Sequence, residues 1–519
     1  MSNSNDNCLG LPGLALEPST APPPKAAVPA PARVKPVDRS QVVWRAVDVE
    51  ELIGEDHPAR AIWALSGQLD LKSFYAPIEA VAGVAGRTPW DPRLLVSLWV
   101  YAYSRGISSA REIARRCAYE PAFQWLCGLE VINHHTLSDF RVAHGQALQE
   151  LFVELLGVLS AEGLVSLERV MHDGTKIKAC ASADTFRREE SLRAHLEAAR
   201  QQVQALAQEV NQEPTRQQAA QQRAARERQQ RVQQALEQLE QIRQTKREAK
   251  EKEEVRVSTS DPTSRIMKQA DGGFAPSYNA QISTEASHKI IVGVGVSQSG
   301  NDYGELSGGM ARVEQNLGAK PQAAVVDGGF TCRENILTMA AQGIELIGSL
   351  PQPAPAGTGS QASGVSAEFG ASAFQYEAAE DRYRCPAGAL LPHQGQRELA
   401  GGVRHDYRAG ASVCKACAFK AQCCPHTVRG RSISRLVEDP QVRQFRERMA
   451  TTSAQEIYRQ RAPVAEFPNA WIKDKLGLRQ FRLRGLVKVG WELLWACLTY
   501  NIQQWIRLCW RPSLAVSQN

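Results

Sequence analysis

Two aspartates of the sequence could bind a ligand or a metal ion, because each follows an apolar segment that is typical of a buried strand. Asp173 follows Glu-Arg-Val-Met-His and precedes Gly-Thr-Lys, and Asp327 follows Ala-Ala-Val-Val and precedes Gly-Gly. A carboxylate at the end of a strand, beside glycines that let another backbone approach, suits a metal or ligand site at a sheet edge. Asp before Gly is also a common turn signal, so neither residue indicates a function alone.

A third group of polar residues has the spacing Tyr458-x2-Arg461-x4-Glu466-x6-Lys473. Glu466 and Lys473 lie two helical turns apart, so a helix would carry both on one face, beside a bound strand of nucleic acid. Pro468 is tolerated without cost only in the first turn of a helix, which predicts Glu466 at a helix start or beside a kink. A solvated, salt-bridged helix would explain the same spacing.

Five of the twelve cysteines fall between residues 385 and 424. In a chain that begins without a secretory signal, this clustering favours a metal over disulfides, and Cys-x2-Cys is a typical zinc knuckle. The predicted ligands of a structural, ribbon-like Zn²⁺ site are Cys385, Cys414, Cys417 and Cys423. His393 or His426 could replace one of them. The alternative is a loop-rich insertion that holds reduced thiols.

The net charge of the 519 residues is +6, and it is unevenly distributed. Residues 429–519 contain 16 Lys and Arg against 7 Asp and Glu, a balance of +9, so the other 428 residues sum to −3. This placement indicates that the C-terminal part contacts a polyanion. The mean hydropathy is −0.34, and no run of 18 apolar residues occurs, which predicts no membrane span and a cytoplasmic protein.

Apolar residues recur at helical spacing in residues 94–106 and 109–129, and Asn133 or Thr136 could cap the next helix. Short helices with tight turns are typical of a helix-turn-helix, although an ordinary helical domain fits the pattern as well. Residues 187–256 contain 15 Lys and Arg, 12 Asp and Glu and 16 Gln. This composition predicts a helical hairpin or coiled coil that turns near Pro214, with a single helix or disorder as alternatives.

The section that follows has the pattern of an α/β domain. It predicts a β-hairpin over 277–298, a helix over 302–317, a strand over 322–330 and a helix over 333–342. Residues 353–372 are rich in Pro, Gly, Ser and Ala, which is typical of a linker.

The motifs HDGTKIKACAS, YNAQ and VVDGGF, the Tyr-Arg-Glu-Lys series and GLRQFRLRGLVKVGWELLWACLTYNI occur in that order over residues 45 to 508. Together they resemble the DDE transposases of bacterial insertion sequences, in the group that has a Y-R-E-K signature and a helical insertion after the first catalytic strand. The resemblance implies an RNase H-like core with Asp173, Asp327 and Glu466 as its acidic triad. Glu492 is the alternative third acid, although packing within a helix suits its Trp- and Leu-rich surroundings better.

The resemblance also implies the cofactors and partners. Three carboxylates suit two Mg²⁺ or Mn²⁺ ions, which would support hydrolysis at the ends of the element and transfer of the freed 3′-OH to target DNA. Tyr458, Arg461 and Lys473 would contact double-stranded DNA near the cleaved end, in the terminal inverted repeats. Pairing two ends implies at least a dimer. A transposase-derived DNA-binding regulator, or a nuclease without strand transfer, remains an alternative.

The predicted fold class is thus an α/β RNase H-like catalytic core with an all-α N-terminal domain, an inserted helical hairpin or coiled coil, and a Cys-rich, zinc-ribbon-like insertion. The predicted segments are a disordered tail (1–40), the helical DNA-binding domain (41–160), the first parts of the core (161–183 and 257–352), the helical insertion (184–256), the linker and Cys-rich insertion (353–428), and the basic C-terminal helices of the core (429–519).

Overall fold

A computed structural model describes residues 42, 44, 46–79, 88–208, 215–246, 248–349, 364–399 and 402–511. The predicted tail over 1–40, the predicted turn at Pro214 and the part of the predicted linker up to residue 363 lie outside the described residues. The elements below belong to one structural unit, Asp48–Asn519. Among the described residues, no helix combines the length and the apolar composition needed to span a membrane.

The N-terminal part of this unit is helical. Its helices are α1 (Pro58–Ser66), α2 (Lys72–Tyr75), α3 (Pro92–Ser104), α4 (Ala110–Cys117), α5 (Pro121–Cys127), α6 (His134–Ala143) and α7 (Gly145–Ala161). Their boundaries follow from capping: the Asp91 side chain accepts a hydrogen bond from the Arg93 amide at 2.8 Å, with Pro92 as the first helical residue. Asn133 caps α6 in the same way, through the His135 amide at 2.8 Å, so the predicted cap at Asn133 is confirmed.

The central sheet contains six strands among the described residues. They are β1 (Arg169–Lys178), β4 (Arg265–Lys268), β5 (Phe274–Glu285), β6 (Ile291–Ser297), β7 (Ala323–Val325) and β8 (Glu345–Ile347). The order is β4-β5-β1-β7-β8, and β6 pairs with the far part of β5. Strand β5 is antiparallel to its three neighbours, β1, β4 and β6. Strand β7 is parallel to both of its neighbours, β1 and β8.

Helix α11 (Glu305–Leu317) connects β6 to β7, and helix α12 (Arg333–Ala341) connects the parallel strands β7 and β8. The predicted hairpin over 277–298 and the predicted helices over 302–317 and 333–342 are therefore confirmed. A crossover helix is what parallel strands need, because a tight turn cannot join them. The sheet thus combines an antiparallel hairpin with a parallel half, and β1 lies between the two.

Between β1 and β4 the chain leaves the sheet and forms a helical segment. Its elements are β2 (Phe186–Arg187), α8 (Glu189–Gln208), α9 (Arg216–Thr245), α10 (Ala249–Glu253) and β3 (Val257–Ser258). Helices α8 and α9 pack together through a short apolar stripe, in which Leu192 and Leu239 are buried with Val257. Most of the remaining surface is charged or carries Gln, as expected of helices whose outer faces are solvated.

The Cys-rich part forms a second sheet that is separate in its hydrogen bonding. Its strands, in the order β13-β12-β11-β10-β9, are β9 (Gln375–Glu377), β10 (Arg382–Arg384), β11 (Leu390–Leu399), β12 (Gly402–Arg408) and β13 (Ser432–Glu438). All neighbours are antiparallel. Two short helices, α13 (Ala411–Lys415) and α14 (Lys420–Cys423), lie between β12 and β13 and contain two of the five clustered cysteines, Cys414 and Cys423.

The C-terminal part consists of α15 (Pro440–Met449), α16 (Thr452–Arg459), α17 (Arg461–Asp474) and α18 (Leu486–Leu508). Helix α17 begins at Arg461 and runs through Pro468, so Glu466 lies within the helix, two residues before the proline. Of its two predicted positions, the helix start is wrong, and the position beside a kink stays a prediction. Helix α18 is buried along most of its length and packs on α3, α7 and β6. Its Trp495 ring lies 6.5 Å from that of Trp99 in α3, and both belong to the main core.

Candidate active site

Asp173 lies in the middle of β1, and the prediction that it ends a strand is wrong. The strand continues to Lys178 because β5 pairs with it throughout, from Val170 opposite Glu285 to Lys178 opposite Ser277. The glycine that follows Asp173 therefore lies in an extended ladder instead of a turn. At Asp173 the backbone pairs with Ile282 of β5, whereas the pairing of β1 with β7 ends at Met171.

Asp327 follows β7, the parallel neighbour of β1. Met171 is the partner of Val325, so Asp173 and Asp327 each lie two residues beyond the same pair and on the same side of the sheet. The Asp327 carboxylate accepts a hydrogen bond from the Gly329 amide at 2.8 Å, which fixes it in the turn. The structure thus brings the first two predicted acids together.

The surroundings of Asp173 favour its protonated form. Burial, together with the nearby carboxylates of Asp327 and Asp302, raises the pKa of Asp173 to about 6. The Arg461 guanidinium and the Gly174 amide act in the opposite direction. A cation bound nearby would therefore stabilise the ionised form of Asp173.

Helix α17 lies along β1 with matching spacing. The Asn469 amide nitrogen donates to Asp173 Oδ2 at 2.9 Å, and one helical turn later Lys473 donates to the Thr175 hydroxyl. Four residues rise about 6 Å along a helix, and two residues rise about 6.6 Å along a strand. Asn469 and Lys473 of α17 can therefore contact Asp173 and Thr175 of β1 at matching spacing. Burial lowers the pKa of Lys473, whereas the charge of Asp173 raises it. Asn469 was not a sequence candidate, because its contact depends on how α17 docks.

Glu466 lies at the exposed edge of α17, with 64% of its side chain accessible. Its carboxylate is 3.7 Å from the Arg461 guanidinium, which is only 16% accessible and acts on Asp173 as well. The Arg461 guanidinium therefore interacts electrostatically with both Asp173 and Glu466. Tyr458 is half-buried and packs on the cluster that contains Met171 of β1 together with residues of β7, β8 and α17.

Glu492 lies elsewhere, within the core of α18. It is fully buried and accepts hydrogen bonds from the backbone amides of Arg482 at 3.0 Å and Leu483 at 2.8 Å. The Arg141 guanidinium is 3.9 Å away. These contacts occupy the carboxylate and tie the segment before α18 to the helix, in agreement with a packing role.

Asp302 is a further acid near the site that the sequence did not single out. It receives hydrogen bonds from the amide groups of Asn279 at 2.6 Å and Gln281 at 2.9 Å, and Lys176 lies 3.4 Å away. These groups lie on the other face of β1 from Asp173, over Gly174. Asn279 and Gln281 belong to the YNAQ motif and alternate along β5. This alternation was the sequence pattern that could have indicated a polar site on this face of the sheet.

The clustered cysteines line a cavity of about 210 Å³ in the second sheet, together with Arg431. The sulfur atoms of Cys385 and Cys414 accept hydrogen bonds from the Ala389 and Arg431 amides, at 3.1 and 3.4 Å. Burial raises the pKa of Cys423 to about 11. Among the described residues, the one group of three side chains with metal-ligating atoms all within 4.8 Å of one another is a different set, namely Asp381, His393 and His405.

Two families match the chain over separate segments. Residues 384–506 match the family described as "Transposase DDE domain", and residues 47–143 match "Transposase domain (DUF772)". The chain therefore matches two families of transposase domain. They are typical of the DDE transposases of bacterial insertion sequences, so the resemblance seen in the motifs is confirmed. No curated protein sequence matches the chain. The DDE domain implies a DNA substrate and the use of a divalent metal ion.

The transposase domain matched at 384–506 contains the whole Tyr-Arg-Glu-Lys series, whereas Asp173 and Asp327 lie outside it. The donor set nevertheless suits a hard divalent cation, because it consists of carboxylate oxygens. A second observation agrees: Asn469 Oδ1 is buried beside Asp173 and has no hydrogen-bond partner. An oxygen in that situation gains from a nearby cation.

Proposed function

We propose that this protein is a transposase that binds the ends of an insertion sequence and catalyses metal-dependent cleavage and transfer of DNA strands. The observation that carries the proposal is the pair of adjacent carboxylates, Asp173 within β1 and Asp327 after β7, with α17 docked beside them. Cleavage would free a 3′-OH at each end of the element, and that hydroxyl would then attack target DNA. No protein nucleophile is needed, so Tyr458 is proposed as a DNA contact.

The sheet that holds the acids is proposed as an RNase H-like core. The strand order supports this interpretation: β6, β5 and β1 are antiparallel, and β7 and β8 continue in parallel with β1. Apart from the short edge strand β4, β7 is the fourth strand in sequence, which is the place that the resemblance gives to the second acid. The third acid is expected on a later helix, and Glu466 lies on α17.

Asp173, Asp327 and Glu466 would hold two Mg²⁺ or Mn²⁺ ions, which activate the attacking oxygen and stabilise the leaving oxygen of a phosphodiester. Asn469 orients Asp173 through its amide group. Arg461 neutralises Asp173 and Glu466 in the structure described here, and its planar guanidinium suits a phosphate equally well. Lys473 supplies a second cation, on the same face of α17 as Glu466. These residues would position a DNA strand along that helix.

DNA is the proposed partner of the basic C-terminal segment, residues 429–519. A protein that neutralises phosphates with Lys and Arg releases counterions, so its affinity falls steeply with salt concentration. We also propose at least a dimer in the active complex, because two ends of one element must be brought together. The cytoplasm is the compartment that a chromosomal substrate requires.

The cysteines of the second sheet are proposed as a structural, ribbon-like Zn²⁺ site formed by Cys385, Cys414, Cys417 and Cys423. Their common cavity and the amide groups that donate to two of the sulfur atoms support this assignment. Thiolate ligands commonly accept such backbone hydrogen bonds, which hold them in place.

A cleavage assay tests the catalytic proposal, with labelled DNA that carries the sequences flanking the gene and with Mg²⁺ or Mn²⁺. Asp173→Asn, Asp327→Asn and Glu466→Gln should bind this DNA and fail to cleave it. Glu456→Gln, which changes an exposed glutamate of the neighbouring helix α16, is the matched control and should cleave normally.

The outcomes separate the parts of the proposal. Normal cleavage by Asp173→Asn and Asp327→Asn would contradict the proposed function, whereas normal cleavage by Glu466→Gln alone would show that another residue is the third acid. A joining assay with a second DNA then distinguishes a transposase from a nuclease that cannot transfer strands.

A further inference from the structure

We propose that Asp381, His393 and His405 form a binding site for a divalent transition-metal ion of the zinc type. One ligating atom from each side chain lies within 4.8 Å of the other two. Two imidazoles and one carboxylate are a ligand set for borderline ions such as Zn²⁺ and Co²⁺. The site is separate from the carboxylates around Asp173 and from the proposed cysteine site, and it does not depend on the proposed function.

The local fold of the second sheet brings these residues together. His393 lies on β11 opposite Tyr407 of β12, immediately before an irregularity in the strand register. His405 lies two residues before Tyr407, so the two share a face of β12. Asp381 precedes β10 and has a left-handed backbone conformation, with φ of 44°, which is uncommon for a residue other than glycine.

The distance between the imidazoles agrees with a bound ion. His405 Nδ1 and His393 Nε2 are 3.2 Å apart. Two nitrogens that each lie about 2.0–2.1 Å from a tetrahedral Zn²⁺ are about 3.3 Å apart. Without an ion, one of the facing nitrogens must carry a proton. Binding therefore requires that ring to move its proton to its other nitrogen, which changes the tautomer and not the charge.

The carboxylate is held in place by two tyrosines. Tyr376 and Tyr407 donate their hydroxyl groups to the same oxygen, Asp381 Oδ1, at 2.8 and 2.7 Å. The other oxygen, Oδ2, lies 4.0 Å from His393 Nδ1, the ring nitrogen that does not face His405. An oriented, ionised carboxylate beside two imidazoles has the outer-shell support that metal ligands usually have.

Co²⁺ titration of the full-length protein tests the site, with excess Mg²⁺ present to occupy sites made of hard oxygen ligands. His405→Gln and Asp381→Asn should each lose one equivalent of bound Co²⁺. The lost equivalent should lack thiolate-to-cobalt charge-transfer absorption, because no sulfur contributes to it. Cys414→Ser should retain it, which separates this site from the cysteine cluster.

His135→Gln is the matched control. His134 and His135 are a second pair of adjacent imidazoles, with ring centres 4.2 Å apart, and they belong to no group of three metal-ligating side chains among the described residues. This variant should bind as much Co²⁺ as the unmodified protein.

Tyr407→Phe guards against a loss caused by misfolding, since it removes only a hydroxyl group. It should keep the equivalent and weaken Co²⁺ affinity roughly 10-fold. Unchanged stoichiometry in both His405→Gln and Asp381→Asn would overturn the proposal. So would an unchanged affinity in Tyr407→Phe, or a lost equivalent that shows thiolate absorption.

Discussion

The Asn469 amide nitrogen lies 2.9 Å from Asp173 Oδ2, while the amide oxygen of the same side chain is buried without a partner. One half of the amide therefore stabilises the ionised form of Asp173, and the other half is left unsatisfied next to it. This contact joins α17 to β1 at the centre of the candidate site, and it is specific to the charge of the carboxylate.

Asn469→Ala should reduce the affinity for Mn²⁺ in a pH-dependent way. Loss of a hydrogen bond to the charged form raises the pKa of Asp173 above its value of about 6. If that rise is about one unit, it should lower affinity about fivefold at pH 6 and hardly at pH 8, and loss of the contact between Asn469 Oδ1 and the ion should add an equal reduction at both pH values. Electron paramagnetic resonance of free Mn²⁺ measures both values. Asn301→Ala, which changes an exposed loop residue, is the control. An equal loss at both pH values would contradict this explanation.

Asp173→Asn should stabilise the protein in the absence of divalent ions. The pKa of Asp173 is raised on folding, from an ordinary 3.8 to about 6. The folded state therefore binds more protons between these values, and stability from this group falls as the pH rises from about 4 to 6. Above pH 6 the variant should be more stable by on the order of 2 kcal/mol, and below pH 4 the difference should vanish.

Thermal unfolding at pH 4, 6 and 8 in a chelator measures the effect of Asp173→Asn. Added Mn²⁺ should raise the melting temperature of the unmodified protein more than that of the variant, because binding to the folded state stabilises it. The explanation would be contradicted if the variant were less stable than the unmodified protein at pH 8, or if Mn²⁺ stabilised both equally. Either result would show that ionised Asp173 does not destabilise the metal-free protein.

Glu492→Gln and Glu466→Gln should have opposite consequences. Glu492 accepts two backbone hydrogen bonds in the core, so neutralising it leaves weaker acceptors and an unpaired Arg141, at a cost of about 2–4 kcal/mol. Glu466 is exposed, and its replacement should leave stability within about 0.5 kcal/mol. Chemical denaturation measures both. A stable Glu492→Gln with lost cleavage would reverse the assignment of the third acid.

Gly174→Ala should destabilise the sheet beside the site. A Cβ atom at this position would lie 2.3 Å from Asp302 Oδ1 and 2.6 Å from Gln281 Nε2, and Asp302 is held by further hydrogen bonds. We expect a loss of about 1–3 kcal/mol in unfolding free energy. Gly490→Ala is the matched control, because its Cβ would meet no atom within 4 Å and alanine favours the helix by up to about 1 kcal/mol. Equal stability of the two variants would contradict this account.

The sequence predicted the local elements better than their contacts. Apolar spacing and caps indicated α6 and the hairpin of β5 and β6, because both depend on neighbouring residues. The end of β1 was misplaced at Asp173, since its true length is determined by pairing with β5, a hundred residues away. The contact of Asn469 with Asp173 has the same origin, because it arises only when α17 docks on the sheet.

The metal-ligating residues show a similar limit. Cys-x2-Cys is a local signal, so a zinc site was predicted there. Asp381, His393 and His405 follow one another at intervals of twelve residues, which matches no familiar ligand spacing. Their proximity depends on antiparallel pairing and on a register irregularity after His393, which a sequence pattern does not reveal.

The packing of α18 against α3 has a consequence for the order of synthesis. The buried side chains of α3 include Trp99, and the Trp495 ring of α18 packs near it in the same core. A ribosome therefore releases Trp495 of α18 only 396 residues after Trp99 of α3. A nascent or prematurely terminated product would expose the apolar surface of its first helices, which would favour its proteolysis. The core around α3 should thus be completed only after α18 has been synthesised.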